Sequence, residues 1–288
     1  MITGISYALA SGLFWAFDSI SISKIPLFYF FIAGIHDLFI FLYVFLFCLF
    51  RKIQFAHIKF KTVVIISLAS CLGGICAISS YLLCAKYSSI EFAGVVSAFY
   101  PVIAILGLRF ILKEKIGIYA YISICFCILS LLFVVNVSSF SIIAMFFGLL
   151  SATLWASELI IISIVLKKDI NPIFALLIRE FFSSFYYVLI FSIFFMNNIE
   201  DSFKHSYSIS IAAFFGTISY ALYYFSIQKI GAVKAMVLNM SYCIWIIILT
   251  YDYNPQDFVF TILSAFSIIC ACMFINLNDI KRKIGKIK

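Results

Sequence analysis

Ten apolar stretches follow one another along the chain, at 3–23, 27–50, 62–84, 90–112, 116–135, 142–166, 172–195, 208–228, 233–251 and 257–276. Each reaches the roughly 20 residues that a helix needs to cross a bilayer. Polar positions gather in short connections between them, the longest being 51–61 (RKIQFAHIKFK) and 196–207 (MNNIEDSFKHSY). Loops this small cannot house chemistry, so the work is expected inside the membrane. Pro26 and Pro172 stand near the starts of the second and seventh stretches, where a missing N–H costs little, whereas Pro101 falls inside the fourth and predicts a bend there. The first stretch has neither a cationic lead nor a small-residue cleavage site and reads as a retained helix.

The pattern repeats. SGLFWA at 11–16 answers to SATLWA at 151–156, and 79–101 answers to 221–243 at an offset of 142. Trp15 therefore pairs with Trp155, Tyr81 with Tyr223 and Tyr100 with Tyr242. Two halves with five crossings each must lie upside down to one another, which is how many secondary transporters are built. The expectation is an all-α polytopic membrane protein of two inverted five-helix repeats, 1–138 and 139–288, the second ending in a short basic tail. Gly73-Gly74 and Gly216 occupy matching positions, read as close helix packing, with a hinge as the lesser reading.

Composition agrees: 65% of residues are hydrophobic and 11% charged, too few to clothe a soluble domain. The net charge of +8 suggests nucleic acid only until the cations are placed. Of 20 Lys and Arg, Lys24, Lys86 and Lys204 fall on one side, Arg179 lies inside a span, and the rest gather on the other side with both termini. The positive-inside bias makes that side cytoplasmic and leaves no call for a nucleic-acid partner. The nine cysteines lie mostly within spans and read as small packing residues; Cys125/Cys127 and Cys270/Cys272 point to different helix faces, so neither metal nor cofactor is expected.

An ionisable side chain in hydrocarbon costs several kcal/mol unless paired or hydrated, so each one within a span is a candidate functional residue. They are Asp18, His36 and Asp37, Glu158, and Arg179 and Glu180; Glu91 and Lys234 lie nearer helix ends and reach the interface. Glu158 follows Trp155 by three residues and Asp18 follows Trp15 by three, so each half presents an indole and a carboxylate on one helical face. Ser97 with Tyr100 and Asn239 with Tyr242 form a second matched set, and Tyr81, Tyr220 and Tyr223 add phenols. Aromatic walls with few acids suit an organic cation, whose head is held by ring faces at about 0.5–2 kcal/mol each while a carboxylate balances the charge. Against this, 19% of the chain is aromatic, so a given ring is more often packing; Tyr207, Tyr251 and Tyr253 are assigned to the interface. Arg179 and Glu180 read as mutual neutralisation, and His36 and Asp37 as neutralisation or a proton path, with protons the candidate coupling ion.

The stretch FYPVIAILGLRFILKEK at the close of the fourth span, in a chain of two five-span halves, resembles the drug/metabolite transporter superfamily of EamA type. HD at 36–37, SAFYP at 97–101, WASE at 155–158, LLIRE at 176–180 and NMSYCIW at 239–245 together are similar to the LicB-type choline permeases. The resemblance implies a bacterial inner-membrane importer of choline or a related quaternary ammonium, with Trp15, Trp155, Glu158, Tyr100, Asn239 and Tyr242 as ligand candidates. Asp18 has no counterpart in that pattern, and a site holding it could take a more strongly cationic relative. Spans 5 and 10 are expected towards lipid or a partner subunit, a homodimer being the candidate assembly. The rival transporter reading is an exporter of amino acids, nucleosides or cationic drugs. A membrane transferase would want interfacial acidic or histidine clusters, which these loops lack, and a scaffold subunit gives no reason for paired mid-membrane acids.

Overall fold

The computed structural model describes residues 2–26, 29–53, 58–110, 113, 117–134, 140–167, 170–194, 204–250 and 255–284. They form α1 (Ile2–Ser23), α2 (Tyr29–Phe50), α3 (Phe60–Tyr87), α4 (Ile90–Phe110), α5 (Ile118–Val134), α6 (Ile142–Leu166), α7 (Pro172–Phe194), α8 (Ser206–Ile230), α9 (Ala232–Thr250) and α10 (Pro255–Ile284), with no strand among the described residues. Eight of these are long and apolar enough to cross a membrane; α5 and α10 carry shorter apolar stretches, Ile118–Ser130 and Val259–Ile275.

Helix starts follow local chemistry. Ser89 accepts from the Phe92 amide (3.1 Å) to cap α4, and Ser141 accepts from Ala144 (3.3 Å) to cap α6. Asn171 Oδ1 accepts from Ile173 (2.9 Å) just ahead of Pro172, the first residue of α7. Gly231, at φ 83°, turns α8 into α9 with no further loop residue, a backbone state that glycine adopts without strain.

Three helices are irregular. α3 widens into a π-helical segment, Cys71–Ile78. α4 breaks at Ala98–Phe99, directly before the expected bend at Pro101. α9 breaks at Met240, which matches Ala98 at the repeat offset of 142 but has no proline near it.

Packing is by small residues, as expected where lipid removes the hydrophobic drive between helices. Ala8, Ala16, Ala144, Ala152, Ala156, Ala212 and Ala213 are fully buried, while Phe50, Phe60, Phe110 and Phe146 face outward. Ser226 donates to the Gly4 carbonyl (2.8 Å) and Ser219 to that of Ser11 (2.9 Å), fastening α1 to α8. α5 lies along α10, joined by Ser123 to the Ala271 carbonyl (2.9 Å), Ser130 to Ser264 (2.8 Å) and stacked Phe126 and Phe274. That pair packs against the broken helices, with Cys127 3.4 Å from Met240 and the Cys272 thiol 3.2 Å from the Val237 carbonyl.

Candidate substrate site

At the centre of the helices lies a cavity of about 40 Å³ lined by Trp15, Tyr100, Trp155, Glu158, Leu159, Ser219, Tyr220, Tyr223, Asn239 and Tyr242. α1, α4, α6, α8 and α9 supply these residues, so both halves build the wall. Trp15 meets Trp155 edge to face (centroids 5.4 Å, 82°) and meets Tyr220 in the same manner (5.5 Å, 81°). Tyr242 lies 6.5 Å from Trp15. Tyr81, expected as a ligand, stands behind the indoles, 5.4 Å from Trp155 and 6.5 Å from Trp15, and backs the wall instead of lining it. Its place on α3, one layer out from α1 and α6, accounts for the difference.

The phenols are fixed by the two helix breaks. The Tyr242 hydroxyl donates to the Gly94 carbonyl (3.1 Å) and lies 2.7 Å from Ser97, while the Tyr100 hydroxyl lies 3.0 Å from both the Met236 carbonyl and Asn239 Oδ1. Gly94 and Met236, like Ser97 and Asn239, are repeat partners at an offset of 142. Each broken helix therefore lends a tyrosine to a carbonyl next to the break in the other. Tyr100 also reaches Tyr223 (3.3 Å). Asn239 donates to Ser11 (2.8 Å), whose hydroxyl lies 3.3 Å from Ser219, so one end of the cavity is polar.

Beside the aromatic walls runs a buried ion network. His36 Nε2 lies 3.0 Å from Asp18 and its Nδ1 3.2 Å from Asp37, a pair of contacts that both donate only in the imidazolium. Arg179 gives Nε to Glu158 (2.8 Å) and Nη1 to Glu180 (2.6 Å), lies 3.8 Å from Asp37, and stacks its guanidinium 4.8 Å from the Tyr220 ring centre. Ser183 donates to Asp37. The two clusters match: an acid on the first helix of each half, Asp18 or Glu158, meets a base on the second, His36 or Arg179, that also holds its own neighbour, Asp37 or Glu180.

This corrects the reading of Glu158 as a lone carboxylate waiting for a cation: it is already paired with Arg179, because α6 and α7 both pack on α3. It also widens the local neutralisation expected of Arg179 and Glu180, since Arg179 is shared among three acids. The network sets four carboxyl groups against one arginine and one histidine. Sequence reasoning missed Ser11, Ser219 and Leu159, which carry no signal in a chain rich in serine and leucine.

A larger recess of about 960 Å³ opens where α1 and α3 end and α4 and α8 begin, with Ile22, Ser23, Leu82, Lys86, Glu91, Lys204 and His205 on its walls. Ile22 lies one turn beyond Asp18 and Leu82 one residue beyond Tyr81, so the recess sits above the central site.

Membrane-length helices around a central cavity lined by both halves, with a larger recess beyond one end of it, have the build of a membrane transporter. The EamA-like transporter family matches residues 2–136 and again 142–277, and the chain belongs to that family, within the drug/metabolite transporter superfamily; it is a transporter and not an enzyme. It is 29% identical over 269 residues to Protein LicB of Haemophilus influenzae (strain ATCC 51907 / DSM 11121 / KW20 / Rd), covering 88% of this chain and 90% of that one. A solved crystal structure of a protein shares the fold at a TM-score of 0.69 and 12% identity, covering 95% of this chain and 97% of its own.

Proposed function

We propose that the protein imports choline, or a closely related quaternary ammonium, across the bacterial inner membrane by alternating access. Ten spans in two inverted repeats, with both termini in the cytoplasm, would point the large recess outward. The observation that carries the reading is the convergence of Trp15, Trp155, Tyr220 and Tyr242 on one cavity beside an acid-rich network. A permanent cation cannot donate a hydrogen bond, and aromatic faces are the surfaces that hold it without one. The motifs resembling the LicB-type permeases favour choline within that class.

In this arrangement the trimethylammonium head sits among the indoles and Tyr100 and Tyr242, the cluster of acids that Arg179 shares balances its charge, and the hydroxyl arm turns to Asn239. The cavity, about 40 Å³, is small beside a trimethylammonium head, so loading the site requires its wall to widen. The Trp15–Trp155 contact is the part of the wall that would have to give. Protons carried by His36 and Asp37 are the candidate coupling ion.

Uptake of labelled choline into proteoliposomes tests this, with Trp155→Ala and Glu158→Gln beside the unaltered protein. Loss of one ring is expected to raise the choline KM by roughly 2- to 30-fold, the span of a cation–π contact, and Glu158→Gln to weaken preference for cations. Unchanged uptake by both variants, or competition by amino acids but not by choline, would turn the reading to the exporter alternative.

A further inference from the structure

Gly73 and Gly216 hold matching places in α3 and α8, and a β-carbon built on either would strike a carboxylate from the other half of the chain. At Gly73 it would fall within the Glu158 carboxyl group, with Oε1 2.7 Å away; at Gly216 it would lie 2.8 Å from Asp18 Oδ2 and 3.1 Å from His36 Nε2. Gly74 faces the Ser183 hydroxyl of the other half, with Asp37 Oδ2 of its own half 3.0 Å away. The contact is crossed: the third helix of each half makes room for the acid on the first helix of the other. Gly73 and Gly74 both lie in the π-helical segment, a wider turn that shows adjacent glycines to α6 and α7 together. Its carbonyls at Gly74 and Ile75 lie within reach of the Tyr187 hydroxyl of α7 (3.2 and 3.4 Å).

We propose that Gly73 and Gly216 are positioning residues, each a socket that sets the mid-membrane acid of the opposite repeat against its base. Packing alone would place alanine or an aliphatic neighbour over such a glycine, as Val96 and Cys84 lie over Gly148. Here the facing group is a charged carboxyl, whose position decides whether Glu158 meets Arg179 and borders the cavity. A methyl at 73 would push Glu158 away from both.

A double-mutant cycle read by thermal unfolding of the purified protein tests this without any ligand. Gly73→Ala is expected to lower the melting temperature by roughly 5 °C or more, at 2–4 °C per kcal/mol. Glu158→Asp withdraws the carboxyl by one methylene, so in the Gly73→Ala background it is expected to restore at least half of that loss. Gly148→Ala, which meets no acid, gains nothing from Glu158→Asp. Gly216→Ala, the milder clash, supplies the second pair with Asp18→Ser. A socket role also raises the transport KM in Gly73→Ala and lowers it again in the double variant, a readout that bulk packing would not move. Additive melting shifts in both cycles overturn the proposal, as does an unchanged melting temperature in both alanine variants. Because the cycle needs no substrate, failure of choline uptake in the unaltered protein would strike the transport reading and leave this one standing.

Discussion

Arg179 is the residue on which most buried charge converges, and its removal has a cost that can be worked out. Arg179→Met keeps length and volume but leaves Glu158 and Glu180 without the donors now 2.8 and 2.6 Å away, while Asp37 keeps His36 and Ser183. Breaking a buried pair from one side costs about 3–5 kcal/mol. A second route agrees: an unpaired carboxylate in hydrocarbon is carried as the neutral acid, and protonating a model glutamate at pH 7 costs about 3.7 kcal/mol, from roughly 2.7 pH units at 1.36 kcal/mol each. With two glutamates the loss lies between about 3 and 7 kcal/mol, a large part of the 5–15 kcal/mol that holds a typical domain together. The melting temperature of the solubilised variant is expected to fall by about 6 °C or more. At pH 5 the protonation cost drops to about 1 kcal/mol per glutamate, so the deficit should shrink as pH falls. The sign follows because the folded variant keeps protons that the unfolded chain has released, which makes stability decline as pH rises. Replacing the whole cluster, Arg179→Met with Glu158→Gln and Glu180→Gln, should recover most of the loss, since neutral substitutes for buried ion clusters are often tolerated. A single variant melting within 2 °C of the unaltered protein, or a triple variant no better than the single, refutes this account of the network.

Other consequences are open to the same preparations. Ser219→Ala removes a hydroxyl from the polar end of the cavity together with its bond to the Ser11 carbonyl, and is expected to raise the choline KM by about 2- to 12-fold, one hydrogen bond's worth, with a smaller rise for tetramethylammonium, which has no hydroxyl. Tyr242→Phe and Tyr100→Phe each remove one hydrogen bond to a carbonyl, Gly94 or Met236, that keeps its backbone donor, Ala98 or Met240, and should each cost about 0.5–1.5 kcal/mol, seen as melting shifts of roughly 1–6 °C. Ser23→Cys, in a chain otherwise without cysteine, places a thiol on the wall of the large recess, where an impermeant maleimide added outside the cell should label it. Labelling from the cytoplasmic side alone would reverse the orientation.

How much of this was legible in the sequence depends on whether a feature is local. Mid-span charge is expensive and tryptophan is scarce, so Trp15, Asp18, Trp155 and Glu158 stood out, and helical spacing placed each indole beside its acid before any partner was known. Spacing says nothing about which faces of two helices meet. That Glu158 finds Arg179 and Asp18 finds His36 is set by how α6 and α7 both pack on α3, and α1 and α2 both pack on α8, over 21 and 18 residues of chain. The bend in α4 could be read from Pro101, whose ring and missing N–H act within one turn. Its counterpart in α9 could not, because no proline marks it and the tyrosine that bonds the Met236 carbonyl one turn before it lies 136 residues away. Glycine is the sharpest case: at 73 and 216 the sequence records a missing side chain but not what fills the space, and packing was the natural guess. The repeat could have sharpened it. Trp15 and Asp18 map to the second half at an offset of 140, whereas His36, Asp37 and Gly73 map at 143. Acid, base and socket therefore recur as one set, and a bare packing contact gives no reason for the three to travel together.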